Sequence, residues 1–378
     1  MDTISSLSSG MTFILKQLLG LSIVIVSYEW LVNNLAFFNI QSSLWLYAIA
    51  FIGLDFAGYW QHRFNHSFNI LWNRHVIHHS SEEYNLSCAL RQNISIVFEV
   101  YFFLYIPLAL IGVPAVVVAT VAPIHFFAQF WYHTKMIDKM GILEYIIVTP
   151  SHHRVHHAIN DRYIDKNFAE IFIIWDKLFG TFQEELPNEK PVYGIKKAAQ
   201  TWNPAIINFQ HVYLLAKDAW YTSSLWDKCR IWFMPTGWRP ADVQDQFPIE
   251  IVDASSQVKY DTIYTPYFLA WIFLQFVMSF AMLYVMMMYI DKLDVVAFSL
   301  ASVLIFVSIV SYTSMMDGHW SVLAADVVKI VLTIAFVVVS LPGLGLGQGL
   351  VIGLATYGIM TFLGNAYFLK YDAPRIVA

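Results

Sequence analysis

Eleven of the thirteen histidines in this chain lie between residues 62 and 157, and nine of those eleven fall in three tight clusters. The first is His62-Arg63-Phe64-Asn65-His66. On a helix, positions i and i+4 stand one above the other on one face, so both imidazoles can serve one metal ion. The second, His75-Val76-Ile77-His78-His79, sets one ring opposite two adjacent rings, enough to touch one ion and lean towards a second. The third, His152-His153-Arg154-Val155-His156-His157, repeats that pattern with one more imidazole in front. His125 and His133 stand two helical turns apart with Gln129 midway, and His133 is the one nearer the clusters. A lone interfacial histidine is ordinarily a solvated ring, and His211 and His319 are read that way; nine rings at ligand spacings on three segments are not.

Imidazole suits zinc, copper, iron and nickel, whereas carboxylate and carbonyl oxygens suit magnesium, calcium and manganese. One zinc takes about four ligands, so nine or ten histidines are too many for one ion and the right number for two sites. Neutral ligands leave such a pair of ions strongly positive. Carboxylates that accept the second ring N–H offset this charge and fix the tautomer; Asp55, Glu82, Glu83, Asp161 and Asp165 are near enough in sequence for that role, or for the plainer one of loop caps. A dinuclear centre with open positions suits hydrolysis or oxygen chemistry.

The elements that hold these clusters are membrane helices. Hydrophobic residues make up 58% of the 378 and charged residues 13%, against roughly a quarter charged in a soluble domain. Runs from Tyr101 to Thr134, Phe268 to Ile290, Val295 to Met316 and Ile330 to Leu369 carry no Asp, Glu, Lys or Arg, and a span needs about 20 apolar residues. The pattern predicts about eight spans, over 11–34, 43–60, 94–112, 114–133, 264–290, 295–313, 322–341 and 346–369. The expected fold is therefore all-α and integral to the membrane: a multi-span helical bundle with a helical cytosolic cap carrying a histidine-rich dimetal site. Three regions are expected: residues 1–134 with the first two histidine clusters, a cap over 135–260 with the third, and a C-terminal membrane region over 261–378.

Arg63, Arg74 and Arg91 follow the second span, the middle segment is rich in Lys and Arg, and Lys370 and Arg375 follow the last span. An even span count puts all of them on one face, which the positive-inside tendency makes cytoplasmic, with the histidines beside them. Phe168 to Phe182 is apolar but too short to cross and fits a helix lying in the interface. Glu99 falls in the third expected span, as an intramembrane functional group or one facing the headgroups. Asp326 and Lys329, three apart near a span edge, pair or snorkel, and Trp60, Trp72, Trp131 and Trp175 read as interface anchors. A net charge of -5 without a basic run excludes nucleic acid as a partner. Cys88 and Cys229 provide neither a disulfide framework nor a zinc CxxC. With no Lys or Arg before Met11, the first apolar stretch reads as a retained helix. The LPGLGLGQGL segment at 341–350 reads as a loop between spans, since a phosphate loop needs a preceding strand.

Longer strings carry a resemblance. HxxxH, HxxHH a few residues later and HxxHH after a membrane hairpin are similar to the boxes of the fatty acid hydroxylase and sterol desaturase superfamily of integral-membrane di-iron oxygenases. HHSSEEYNLSCALRQ at 78–92, QFWYHT at 129–134, TPSHHRVHHAIN at 149–160 and YIDKNFAEIFIIWDKLFGTF at 163–182 resemble its alkylglycerol monooxygenase branch, and PVYGI at 191–195, WNP at 202–204 and FMPTGWRP at 233–240 extend the likeness over about residues 40–245. The resemblance implies that His62, His66, His75, His78, His79, His153, His156 and His157 are box ligands, with His133 and His152 matching histidines that flank the third box. It also implies two Fe ions, O2, a tetrahydropterin and a lipid drawn from the bilayer. The implied reaction hydroxylates the carbon next to the ether oxygen of an alkylglycerol and releases a fatty aldehyde. Ser67 stands where the ether-lipid enzymes carry Glu, a departure that bears on the pterin and substrate more than on the metals. Within the same class, the alternative is a sterol or fatty-acyl hydroxylase or desaturase fed by an electron-donor protein. From another class, a metal transporter would place its histidines in mid-membrane, whereas these sit beside Arg63, Arg74, Arg154 and Arg162.

Overall fold

The computed structural model describes residues 1–41, 43–344 and 348–377, so the centre of the glycine-rich turn at 341–350 lies outside the described residues. The described residues are mostly helical, and their strands form two small two-stranded sheets. The chain divides into two compact units, one of Met1–Leu21, Gln200–Ile207 and Val258–Ala378, the other of Ser22–Ala199 and Asn208–Gln257.

The first unit contains four helices long and apolar enough to cross a membrane, Pro266–Met288, Val295–Met316, Val322–Leu344 and Gln348–Tyr371. Their starts are encoded locally. Thr265 accepts the Phe268 N–H at 3.1 Å with Pro266 in the first turn, and Asp294 accepts from Val296 and Ala297 at 2.9 and 2.8 Å. A fifth helix, Asp2–Leu18, packs here through a buried face of Ser5, Ser8, Ser9 and Thr12, small residues that let helices approach closely. Asp326 and Lys329 are wholly buried and pair at 2.8 Å instead of snorkelling; Asp326 also accepts from Ser311 Oγ at 2.6 Å and Asn365 Nδ2 at 2.8 Å.

In the second unit the longest helix is Leu44–Ser67. Its first half buries Leu46, Ala50 and Leu54 against Leu108, Val113, Val117 and Val121, and its last turns carry the first histidine cluster. Elsewhere the expected spans are corrected. The 11–34 stretch is two helices, Asp2–Leu18 and Tyr28–Leu35, separated at Gly20 (φ 63°) and a short strand, Ile23–Val24. The 94–112 stretch holds strand Phe98–Glu99, a 3-10 turn and the short helix Ile106–Ile111, and only Ala115–Phe127 of 114–133 is helical. Four described helices, not eight, meet the length and composition of a span. Hydropathy reports composition, while Gly20, Gly112 and Pro114 segment the backbone. Gly112 has φ 88°, and a Cβ there would lie 1.9 Å from the Phe38 carbonyl oxygen. Glu99 pairs with Arg74 at 2.6 Å and is not part of a helix.

Residues 165–183 form a strap over the long helix, of which only Ile174–Phe179 is helical, in place of the interfacial helix expected over 168–182. Its polar backbone is satisfied by three side chains. Asp176 accepts from the Phe168 and Ala169 N–H groups at 2.8 Å and from Thr181 Oγ1 at 2.6 Å. Asn167, at φ 54°, donates to the carbonyls of His152 and Gln183 at 3.0 and 2.8 Å. Asp55, from the long helix, accepts from Ile171 N, Phe172 N and Trp175 Nε1 at 2.8, 3.0 and 2.8 Å.

Two outcomes follow. Asp176→Ala leaves two buried N–H groups without acceptors, at about 1–3 kcal/mol each; thermal unfolding should shift down and hydrogen exchange at amides 168 and 169 should accelerate. Lys329→Met strands a buried carboxylate at a cost of about 3–5 kcal/mol, read as lost thermal stability in detergent, and adding Asp326→Asn should restore most of it.

Candidate metal centre

The histidines gather into two groups. His62, His66, His75, His79 and His156 form one, and His78, His133, His153 and His157 the other; within each, one ring nitrogen per residue lies within 4.8 Å of all the rest. Nitrogens about 2.1 Å from a shared ion are at most about 4.2 Å apart, so each group needs only small ring movements to close on one ion. His62 and His66 project from the last two turns of Leu44–Ser67 with ring centroids 5.3 Å apart. The short helix Val76–His79 sends His79 to the first group and His78 to the second. The helix Pro150–His156 and its C-cap His157 divide in the same way, with His156 in the first group and His153 and His157 in the second. His133 comes from the turn after Ala115–Phe127. The stacked rings of His79 and His157, 4.3 Å apart, join the two groups.

His152 is brought to neither group. It is the third residue of its helix and closes a capping box with Thr149, its Nδ1 accepting the Thr149 N–H at 3.4 Å while Nε2 lies 3.8 Å from Glu144. One turn of helix cannot present both His152 and His153 to the same point. His125 lies apart too, with Asp55 at 3.0 Å and Glu170 at 3.6 Å.

Backbone carbonyls set the tautomers. A carbonyl only accepts, so Nδ1 of His62, facing Phe168 O at 2.7 Å, carries the proton, as do Nδ1 of His156 against Lys166 O at 2.9 Å and Nδ1 of His133 against Gln129 O at 3.1 Å. Each then turns a bare Nε2 lone pair inward. Those inner nitrogens crowd together: His62 and His75 Nε2 at 2.8 Å, His133 and His153 at 3.0 Å, His153 and His157 at 3.1 Å. Burial, followed by repulsion from neighbouring imidazoles, lowers His62 to about 3 and holds His75, His78, His79, His153, His156 and His157 well below 6.5. These rings are neutral at physiological pH, the form that binds metal.

The donor set fits a pair of transition-metal ions. His66, His79 and His156 each have a buried Nε2 without a hydrogen-bond partner among the described residues. Three orphaned nitrogens in so small a volume would be costly unless something coordinates them. Aromatic rings close the surroundings: Tyr132 lies 4.3 Å from His153, Trp72 4.9 Å from His66, Phe168 5.2 Å from His66 and Tyr84 5.3 Å from His157. Of the carboxylates expected to support the ligands, Asp165 reaches His66 Nδ1 at 3.3 Å, whereas Asp55 serves the strap and His125, Glu83 faces Lys135 and Asp161 pairs with Lys196. The supports that sequence reasoning missed are the carbonyls of Gln129, Lys166 and Phe168, which any residue type would supply.

Residues 47–181 match the family model for fatty acid hydroxylase. The chain is 43% identical over 240 residues to an alkylglycerol monooxygenase of Homo sapiens, covering 63% of this chain and 53% of that one. It is 39% identical over 277 residues to one of Danio rerio, covering 73% and 61%, and 38% identical over 259 residues to one of Xenopus tropicalis, covering 68% and 57%. The chain thus spans between half and two thirds of the length of these curated relatives. No solved structure matches it. Residues 47–181, the stretch similar to the fatty acid hydroxylase family model, hold all nine of the grouped histidines.

Proposed function

We propose that this chain is an O2-dependent lipid monooxygenase of the membrane, with two iron ions held by the nine grouped histidines and an alkylglycerol as substrate. The observation that carries the reading is the convergence of nine buried imidazoles into a group of five and a group of four. Likeness to relatives named alkylglycerol monooxygenase supports the substrate. His62, His66, His75, His79 and His156 would hold one iron, and His78, His133, His153 and His157 the other. Bound iron supplies the redox chemistry that activates O2, which no side chain offers. One oxygen atom enters the C–H bond beside the ether oxygen, and the other leaves as water with two electrons and two protons from a tetrahydropterin. The hemiacetal so formed breaks its C–O bond to the glycerol, giving a fatty aldehyde and glycerol.

The chain's own contribution is placement and exclusion. Gln129, Lys166 and Phe168 hold the rings by their carbonyls, so that lone pairs need no reorientation. Tyr84, Tyr132, Phe168 and Trp72 keep bulk water from the imidazoles. The centre belongs on the cytoplasmic side by the distribution of Lys and Arg. A transport site would lie along spanning helices, and none of the nine histidines is on the four long apolar ones.

Purified, iron-loaded protein should carry about two irons per chain, as the ligand count requires, and lose at least one in His78→Ala or His156→Ala by metal analysis. With an alkylglycerol, O2 and a tetrahydropterin it should release fatty aldehyde, and none in His153→Ala or without the pterin. Two irons without aldehyde would overturn the ether-lipid substrate in favour of a sterol or acyl chain with a protein electron donor.

A further inference from the structure

Beside the five-histidine group lies a cavity of 320 Å3 whose wall includes His66, His79 and His156, within the size range of small-molecule sites. Much of the remaining wall is apolar, with Trp72, Ile159, Leu214 and Trp238 among its residues. Against that surface stand three cations, Lys196, Lys197 and Arg239. Two are already compensated. Arg239 is spent on Asp218 through bonds of 2.5 and 2.9 Å, and Lys196 pairs with Asp161 at 2.8 Å. Lys197 has no ion-pair or hydrogen-bond partner among the described residues, although it is partly buried. Burial, then the nearby Arg239, pull its ammonium below the usual lysine range, and the Asp218 carboxylate offsets part of that. Thr236, also on the wall, has a buried hydroxyl with no partner among the described residues. The wall's one carboxylate, Asp165, is engaged by His66.

A partly buried ammonium whose nearby carboxylate, Asp218, is already bound to Arg239, and an idle hydroxyl, are costly when empty and favourable to an anion that takes both. Neutral glycerol hydroxyls would leave the charge unmatched. We propose that this cavity seats the polar end of the lipid and selects a phosphate monoester, with Lys197 as its counter-ion and Thr236 as a second donor, so that the substrate class is an alkylglycerol phosphate. The ether chain is taken from the reading above; the phosphate comes from the cavity. The enzymic step is unchanged, since the phosphate stays on the departing glycerol.

The test is binding of three probes to the full iron-loaded chain in neutral detergent, by calorimetry: 1-O-hexadecylglycerol 3-phosphate, 1-O-hexadecylglycerol and inorganic phosphate. The wild type should bind the phosphate lipid about tenfold or more tighter than the neutral one, the worth of one charge-assisted hydrogen bond. Lys197→Gln should bring that ratio to within about twofold of unity, Lys197→Arg should keep most of it, and Thr236→Val should lower it by about threefold. Equal affinities in the wild type, or a ratio that survives Lys197→Gln, would overturn the proposal. Inorganic phosphate binding as tightly as the phosphate lipid would overturn its lipid half. Phosphate-selective lipid binding without aldehyde release would uphold the phosphate seat while defeating the ether-lipid reading, and aldehyde release with a ratio of one would do the reverse.

Discussion

An imidazole presents a fixed lone pair to a metal when its other nitrogen is held as a donor, and for His62, His133 and His156 the holding group is a peptide carbonyl. The 2.7 Å bond from His62 to Phe168 and the 2.9 Å bond from His156 to Lys166 set the tautomers of two rings in the five-histidine group. Both acceptors lie on the strap, so ligand geometry depends on a segment that contributes no ligand. The strap in turn depends on Asp176, Asn167 and Asp55, which satisfy backbone groups that its irregular path would otherwise leave bare. A carbonyl has advantages over a carboxylate as a support. It adds no charge that a substrate's anionic end would oppose, and it cannot be protonated.

Much of the site was legible because helical spacing is a local rule. HxxxH on Leu44–Ser67 places both rings in one group, as i and i+4 on a regular helix must. The division of the other boxes was less legible, since Val76–His79 and Pro150–His156 are barely a turn or two long and their orientation comes from tertiary packing. His152 shows the limit well: beside His153 in sequence, it faces Thr149 because the helix begins there, and a cap is a stronger local demand than a spacing pattern.

The spans were legible where a long apolar run coincides with a long helix, as from Pro266 to Tyr371. They were not legible in the first third, because a hydropathy window cannot tell a continuous helix from a chain of short ones, and positive-φ glycines and proline break those runs without making them polar. The strap was invisible for another reason. Its hydrogen bonds link Asp55 to residues more than a hundred positions away, and nothing in the local sequence announces a partner so distant.

Two pairs of consecutive residues, His78 with His79 and His156 with His157, are divided between the two groups. Neighbours on a helical turn point roughly 100° apart, so a single peptide unit is the partition between the two coordination spheres. Many side chains around the centre can be exchanged without disturbing this arrangement, but the chain length between ligands cannot. Deleting or inserting one residue within 75–79 or 153–157 would hand each imidazole to the wrong neighbour. In these segments residue type is free only at the positions between the ligands, whereas the count of residues is fixed, a form of heredity carried by counting as well as by chemistry.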